Sequence, residues 1–185
     1  MTDQFHPLLL PHFRTAHSKV GRIPHSEITE HLAWTNDKIE LHVNSQQPSV
    51  QGSSCYRGEI FWAVLGKNIG SEENKRRPVL VLQNNRTNIH GSTTLVAPIT
   101  KLSMRKIQPY EVKISLHTQD PKDATKLIPL VSGIVLLQQI RVISKARLEK
   151  KICDLNDQKL LSINLGAEDI MFRVERACKR ALALS

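Results

Sequence analysis

Three apolar runs lie close together at residues 59–100, which read EIFWAVLGKNIGSEENKRRPVLVLQNNRTNIHGSTTLVAPIT. The first, Glu59–Leu65, is almost continuously apolar and predicts a strand buried on both faces. The second, Pro78–Gln83, has the same character, and its proline is expected only at the start or edge of a strand. The third, Thr93–Thr100, is rich in β-branched residues. The stretch therefore predicts three short strands.

Further strands are predicted towards the C-terminus. Tyr110–Leu116 alternates apolar and polar side chains, as a strand with one buried face does. Ile134–Ile143 predicts a fifth and longer strand, and Ile152–Leu155 predicts a short sixth. Turn residues that connect the strands are predicted at Gly66–Gly70, Asn84–Gly91 and Gly133.

The end of the chain predicts a helix. Its apolar residues form one stripe at helical spacing: Ile170, Val174, Ala177, Ala181 and Leu184. Acidic residues at 168–169 open this helix, and a shorter helical piece is predicted at 157–164. Antiparallel strands followed by one packed helix predict a mainly β fold with α elements, built as a small, partly open β-barrel with a C-terminal helix. The absence of βαβ alternation excludes a Rossmann or P-loop fold.

Charge divides the chain into two parts. The 185 residues include 26 Lys and Arg against 17 Asp and Glu, a net charge of +9 that favours a polyanionic partner. Residues 1–50 hold four of the basic and five of the acidic residues, so the positive excess lies in residues 51–185. A polar stretch at 44–54 separates the two parts. We therefore predict an N-terminal extension and linker at 1–55 and a barrel domain at 56–185.

The extension is predicted to be helical or irregular, with Ser26 as the N-cap of a helix over 26–42. Six of the eight histidines lie in the first 42 residues without an i, i+4 pair, which favours a solvated arm over a metal site. The cysteines lack C-x-x-C spacing, so neither a disulfide framework nor a zinc site is predicted, and no cofactor is expected. The N-terminus is too interrupted for a signal peptide, and no stretch approaches a membrane span. A soluble, cytoplasmic protein is expected.

The long loop from Gly66 to Arg77 is the strongest candidate for chemistry. It connects two apolar strands and ends in three cations, and loops held by rigid strands often carry function. Pro78 biases Arg77 towards an extended backbone, so its planar guanidinium is positioned to bind a phosphate through two hydrogen bonds. A solvated basic turn is the alternative. A nuclease built on His90 and His117 is the weaker hypothesis, because both positions are typical of surface residues.

Several motifs occur in order across residues 56–184: RGEIFW at 57–62, GSE at 70–72, RRPVLVLQN at 76–84, APIT at 97–100, VLLQQIRVI at 135–143 followed by KARL at 145–148, and VERA at 174–177. Together they resemble the MazF/PemK family of toxin endoribonucleases. The resemblance implies an SH3-like barrel, a homodimer, and metal-independent cleavage of single-stranded RNA at short sequences. It also implies inhibition by a cognate antitoxin protein.

The resemblance assigns site residues to this sequence. The catalytic arginine falls on Arg77, the catalytic threonine on Thr100, and a loop glutamate that matters in some members on Glu72. Where the family often has an acid, this chain has Gln138, which implies an altered base preference. The RNA-binding residues are predicted to be Ser71, Lys75, Arg76, Asn84, Arg86, Lys101, Gln138 and Gln139, with Gln138 and Gln139 on opposite faces of the fifth strand.

The expected reaction explains these residue types. Cleavage of RNA without a metal uses the 2′-hydroxyl of the substrate as the nucleophile and leaves a cyclic phosphate. Because a guanidinium stays protonated, Arg77 is expected to stabilise charge on the phosphate first and to donate a proton second. Thr100 is expected to offer a hydroxyl donor to the same phosphate. Two other functions remain open: a gyrase-poisoning toxin with a related barrel, and a non-catalytic module that binds RNA or a protein partner.

Overall fold

The computed structural model describes residues 24–47, 54–157, 160–162 and 169–184. Its elements in chain order are helix α1 (His25–Ser45), strands β1 (Glu59–Val64) and β2 (Arg76–Val81), helix α2 (Asn85–His90), strands β3 (Thr93–Thr100), β4 (Glu111–Asp120) and β5 (Asp123–Leu136), a 3₁₀ turn (Leu137–Gln139), strand β6 (Arg141–Ser144), a second 3₁₀ turn (Lys145–Arg147), strands β7 (Leu148–Asp154) and β8 (Leu161–Ser162), and helix α3 (Ile170–Ala181). The described part is mainly β, as the sequence predicts.

The strands form one curled antiparallel sheet. Its order is β7-β1-β2-β3-β5-β4-β8, and β6 also pairs with β3. Strand β3 is central because β2 lies along one edge, while β5 and β6 share the other edge. The first residues of β2 extend beyond β3 and pair only with β1, from Val64 opposite Arg76 to Trp62 opposite Pro78. Pro78 therefore lies where β2 has one free edge, which is how a proline is tolerated inside a strand.

The core is aliphatic and lies under α3. Asp169 caps this helix by accepting a hydrogen bond from the backbone N–H of Met171 at 2.7 Å. Ile170, Met171, Val174 and Ala177 of α3 pack against buried side chains of the sheet. The predicted stripe is thus confirmed over these turns, whereas Leu184 lies beyond the helix end and is 60% exposed. A second buried cluster lies between β1, β2 and β3.

The predicted single strand over 134–143 is wrong. The chain runs in β5 as far as Leu136, makes one 3₁₀ turn, and continues in β6 from Arg141. Both strands pair with β3, but the register shifts by three residues between them, and the 3₁₀ turn accommodates these extra residues. Gln138 and Gln139 consequently lie in a turn and not on opposite faces of a strand.

Other sequence-based boundaries also differ. Gly133 lies inside β5 rather than in a turn, and the Asn84–Gly91 segment contains helix α2, with Asn84 as its N-cap. The predicted helical piece at 157–164 is wrong, because residues 161–162 form strand β8. Residues 158–159 and 163–164 lie outside the described ranges. Likewise, Glu168 and the linker residues 48–53 lie outside them.

Helix α1 packs against the barrel and is therefore not a free arm. It begins at His25 after Pro24, and no side chain caps it, so the predicted role of Ser26 is wrong. Trp34 packs so closely on Gly66 that a Cβ atom there would overlap the indole ring. Within the described ranges, none of the helices is long and apolar enough to cross a membrane.

Candidate active site

A cleft of about 330 Å³ opens at the end of the sheet where β5 passes β2 and β3. Its walls come from β1, the start of β2, the end of β3 and the middle of β5. The residues that line it are Trp62, Arg76, Arg77, Pro78, Ile99, Thr100, Lys101, Leu130, Val131 and Ser132. The three basic residues face a largely apolar wall, so the cleft combines positive charge with partial exclusion of water.

Arg77 and Thr100, which are 23 residues apart in sequence, meet in this cleft. An Nη1–H group of Arg77 donates to Oγ1 of Thr100 at 3.3 Å. The Nε atom of Arg77 donates to the carbonyl oxygen of Asn74 at 2.8 Å and lies 2.6 Å from Oε2 of Glu73. These contacts fix the guanidinium by its Nε edge, and the Nη edge remains the part that can bind a phosphate.

Gly133 brings β5 close to Thr100. A Cβ atom at Gly133 would overlap the carbonyl oxygen of Thr100 and would lie 2.9 Å from the Ile99 side chain. The two strands pair there through Thr100 opposite Ile134 and Ile99 opposite Val135. The absence of a side chain at Gly133 therefore permits the close strand contact that positions the Thr100 hydroxyl.

The loop glutamate that contacts Arg77 is Glu73, whereas Glu72, to which the resemblance assigns a role, contacts Arg141. The side chain of Glu73 is 14% exposed and forms the close ion pair with the Arg77 guanidinium. Glu72 is 58% exposed, and its Oε2 lies 3.6 Å from Nη2 of Arg141. Arg141 also donates to the Glu73 carbonyl at 3.4 Å. Neither Glu72 nor its partner Arg141 is among the residues that line the cleft. Glu73 is a residue that the sequence analysis missed.

Gln139 fixes the loop that carries Glu73. Its Oε1 accepts from the backbone N–H of Glu73 at 2.7 Å, and its Nε2 donates to the Ser71 carbonyl at 3.1 Å. Both ends of the Gln139 amide are therefore used within the chain. Gln139 and Ser71 act here as positioning residues for the loop, while their predicted contact with RNA stays a prediction.

For the RNA cleavage that the family resemblance implies, replacing Gln139 with alanine is expected to lower kcat about tenfold, because the loop no longer holds Glu73 against the Arg77 guanidinium. Single-turnover cleavage of a labelled RNA measures the effect. Val142→Ala is the control, because Val142 lies on the neighbouring strand β6 and is 63% exposed. Equal rates for the two variants would contradict the positioning role.

Gln138 belongs to a separate polar cluster around Glu111. Glu111 is buried and accepts two hydrogen bonds from Arg105, at 2.7 and 2.6 Å, one from Gln138 at 3.1 Å and one from the backbone N–H of Gln108 at 3.0 Å. The Arg105 guanidinium, followed by the Gln108 and Gln138 donors, holds the pKa of the Glu111 carboxyl below its usual value despite burial.

Because the folded-state pKa of Glu111 is lowered, its contribution to stability is complete above the ordinary Glu pKa of about 4.3 and is lost as pH falls through the folded value. Arg105→Gln is expected to lower the free energy of unfolding at pH 7, because it leaves the buried Glu111 carboxylate without its charged partner. Its deficit relative to wild type should shrink at pH 3. Urea unfolding at both pH values measures this, and a deficit that does not change with pH would contradict it.

The other predicted RNA-binding residues fall into three groups. Arg76 and Lys101 line the cleft, and Lys75 faces a neighbouring cleft between α1 and the barrel. Asn84 and Arg86 lie beyond the opposite end of β2, which at 3.3 Å per residue is about 13 Å from Arg77. Asn84 accepts from the backbone N–H and the hydroxyl of Thr87 as the cap of α2. The structure does not bring these two residues to the cleft of the same chain.

The cysteines are poor candidates for a nucleophile. Burial raises the pKa of the Cys55 and Cys178 thiols, and it raises that of Cys153 to about 11. A thiol with a raised pKa is not ionised at neutral pH and does not attack well. In the part of the chain that the structure describes, groups of three or more His, Cys, Asp or Glu side chains arranged to bind a metal are absent.

The chain is similar to known proteins over most of its barrel. A family profile described as PemK-like, MazF-like toxin of type II toxin–antitoxin system matches residues 56–170. Endoribonuclease MazF of Staphylococcus saprophyticus is 34% identical over 108 residues, which cover 58% of this chain and 83% of that protein. Endoribonuclease EndoA of Bacillus subtilis is 34% identical over 128 residues, or 69% of this chain and 94% of that protein.

A solved structure supports the fold. The crystal structure of MazF from Deinococcus radiodurans matches with a TM-score of 0.50 and 21% identity, and the match covers 71% of this chain and 99% of that one. The similarity confirms the predicted barrel with a C-terminal helix. Helix α1 precedes the residues that the family profile matches and is a feature of this chain outside the family core.

Proposed function

Because this chain belongs to the PemK-like, MazF-like toxins of type II toxin–antitoxin systems, we propose that it is a toxin endoribonuclease that cleaves single-stranded RNA without a metal ion. Its substrate is mRNA in the cytoplasm, and cleavage stops translation and growth. The observation that carries the proposal is the meeting of Arg77 and Thr100 at 3.3 Å in a basic cleft.

The residues of the cleft suit attack by the 2′-hydroxyl of the substrate on the neighbouring phosphate. The 2′-hydroxyl gives up its proton to solvent as the 2′-oxygen bonds to phosphorus. The bond to the 5′-oxygen breaks as that oxygen takes a proton from the Arg77 guanidinium, which regains one from solvent, and the products are a 2′,3′-cyclic phosphate and a 5′-hydroxyl. The Nη edge of Arg77 stabilises the charge that develops on the non-bridging oxygens. The Thr100 hydroxyl donates to the same phosphate, and Lys101 adds positive charge at the rim of the cleft.

The ion pair between Arg77 and Glu73 prepares the guanidinium for this role. Glu73 and the Asn74 carbonyl accept from its Nε side, so the group enters the reaction already oriented. Glu72 pairs with Arg141 on the outer side of the loop. Its role in cleavage is therefore to position the loop and not to contact the phosphate.

The proposal extends to organisation and partners. The barrel at 56–185 is the catalytic unit, and residues 1–55 form an extension with a linker. The active form is a homodimer, and a cognate antitoxin inhibits it. The solved structures that this chain matches include an endoribonuclease in complex with its cognate antitoxin, from a mycobacterial species.

Incubation of the purified protein with a mixed pool of single-stranded RNA in EDTA tests the function. Sequencing of the fragments should show cleavage at one short motif, with 5′-hydroxyl and cyclic phosphate ends. Intact RNA would contradict the proposal. Inhibition of DNA gyrase supercoiling by the same preparation, with the RNA intact, would support a gyrase-poisoning toxin instead.

A further inference from the structure

A second cleft, which we call the α1 cleft, lies between helix α1 and the barrel. Its volume is about 500 Å³, larger than the 330 Å³ of the cleft that holds Arg77 and Thr100, which we call the catalytic cleft. One wall consists of α1 residues, including Ala33, Trp34 and Asp37, and the other of barrel residues, including Lys75 and Arg76. Arg76 lines both clefts, so the α1 cleft opens directly beside the catalytic one.

Three contacts hold α1 in place and so build the α1 cleft. Trp34 packs on Gly66, and the Arg147 guanidinium lies 5.4 Å from the centre of the Trp34 ring. Glu30 forms an ion pair with Lys67 at 2.5 Å. Gly66 has a φ of +90°, a conformation that a side chain would strain, and it leaves the space that the indole fills. The cleft is thus a formed feature of the surface.

The chemistry of the α1 cleft matches one nucleotide. Ala33, Trp34 and Val64 provide an apolar wall, and the Asp37 carboxylate can accept hydrogen bonds from the amino groups of a base. The cations Lys75 and Arg76 lie on the side of the barrel and can bind the adjoining phosphate. The chain has two tryptophans, and each lines one of the two clefts: Trp62 the catalytic cleft and Trp34 the α1 cleft.

The backbone of Lys75 gives an independent indication that its side chain is used. Lys75 has a φ of +61°, in the left-handed region that favours glycine and costs other residues roughly 1–2 kcal/mol. Its N–H donates to the Gly66 carbonyl at 2.6 Å, and its carbonyl accepts from Leu65 at 2.8 Å. A lysine therefore occupies a backbone position that suits glycine, and its side chain lines the α1 cleft.

We propose that the α1 cleft binds a nucleotide of the RNA that flanks the cleaved linkage. The base lies against the α1 wall, the phosphate lies on Lys75 and Arg76, and the strand then continues into the catalytic cleft. This inference rests on the proposed endoribonuclease function and adds a recognition position to it. Since α1 precedes the matched residues 56–170, the position belongs to the extension of this chain rather than to the family core.

The test measures the dissociation constants of two uncleavable RNAs by fluorescence anisotropy. One spans the mapped cleavage motif with a single 2′-deoxy nucleotide at the scissile linkage, and the other adds two nucleotides at each end. Wild type should bind the longer RNA about tenfold more tightly, as one stacked base provides. Ala33→Trp fills the α1 cleft and should abolish this preference. Asn36→Trp, an exposed position on the same helix, should keep it.

Lys75→Gly is the second variant. Glycine adopts the positive φ of this position without strain, so the protein should fold with unchanged or slightly higher stability. It should weaken binding of the longer RNA and reduce the slope of log K against log salt concentration by about 0.7, the contribution of one phosphate contact to a single strand. Thermal unfolding of all variants checks that the fold is intact.

The inference is overturned if Ala33→Trp keeps the preference for the longer RNA, or if it weakens binding of both RNAs equally. An unchanged salt slope in Lys75→Gly would also overturn it. These outcomes are separate from failure of the proposed function, because wild-type cleavage of the RNA pool is measured independently. A protein that cleaves the pool but shows no preference for the longer RNA retains its function and lacks the added position.

Discussion

Arg77→Ala is expected to lower the rate of RNA cleavage by about 100- to 1000-fold, the usual cost of removing one preorganised donor to a developing oxyanion. Arg77 is fixed by Glu73 and Asn74 on one edge and donates to Thr100 from the other, so its guanidinium is already oriented when the phosphate binds. The effect should appear in kcat more than in KM, because the interaction strengthens as charge develops on the phosphate. Single-turnover cleavage of one labelled RNA measures it.

Arg76→Ala is the matched control, since Arg76 is the neighbouring arginine and lines the same cleft. It forms an ion pair with Glu149 and lies over the Trp62 ring, so we expect its loss to weaken RNA binding with a smaller effect on kcat. Thermal unfolding should show that both variants are folded. Cleavage by Arg77→Ala at a rate within threefold of wild type would remove the basis for the assigned chemistry.

Gly133→Ala is expected to lower the free energy of unfolding by about 2–3 kcal/mol, because the new methyl group overlaps the Thr100 carbonyl and crowds Ile99. Strands β3 and β5 must separate to accommodate it, and this displaces the Thr100 hydroxyl from Arg77. Cleavage should therefore fall at least tenfold even under conditions where the variant is fully folded. Urea unfolding and single-turnover cleavage measure the two effects.

Ser115→Ala provides the control for Gly133→Ala. Ser115 lies in β4, in the same region of the sheet, and pairs with Ser132 of β5. Its replacement should change the free energy of unfolding by less than about 0.5 kcal/mol and leave cleavage unchanged. A Gly133→Ala protein as stable and active as wild type would show that the close contact between β5 and Thr100 is not needed.

The strands around the catalytic cleft could be predicted because they are short runs of apolar and β-branched residues. Thr93–Thr100 is β-branched throughout most of its length and forms β3 with the predicted bounds. The run over 134–143 is equally apolar, but periodicity does not reveal a 3₁₀ turn that changes register by three residues. The prediction of a turn at Gly133 is also wrong. This glycine is needed because the Thr100 carbonyl approaches it closely, and a sequence does not show such a tertiary contact.

The candidate site could be predicted in part. The pairing of Arg77 with Thr100 follows from family resemblance, and spacing alone does not indicate it. Glu72 and Glu73 are adjacent in a loop, and the sequence contains no periodic signal that tells which of them faces Arg77. The packing of α1 on the barrel depends largely on one aromatic side chain, Trp34, and one glycine, Gly66, which a search for an amphipathic stripe does not detect.

The most direct test of the proposed chemistry compares two RNA oligonucleotides that contain the mapped cleavage motif and differ by one atom. The first is all-ribose, and the second lacks only the 2′-oxygen at the scissile linkage. We expect complete cleavage of the first in EDTA, with a cyclic phosphate end, and an intact second oligonucleotide. Cleavage of the 2′-deoxy oligonucleotide at that linkage would contradict the proposed chemistry of Arg77 and Thr100.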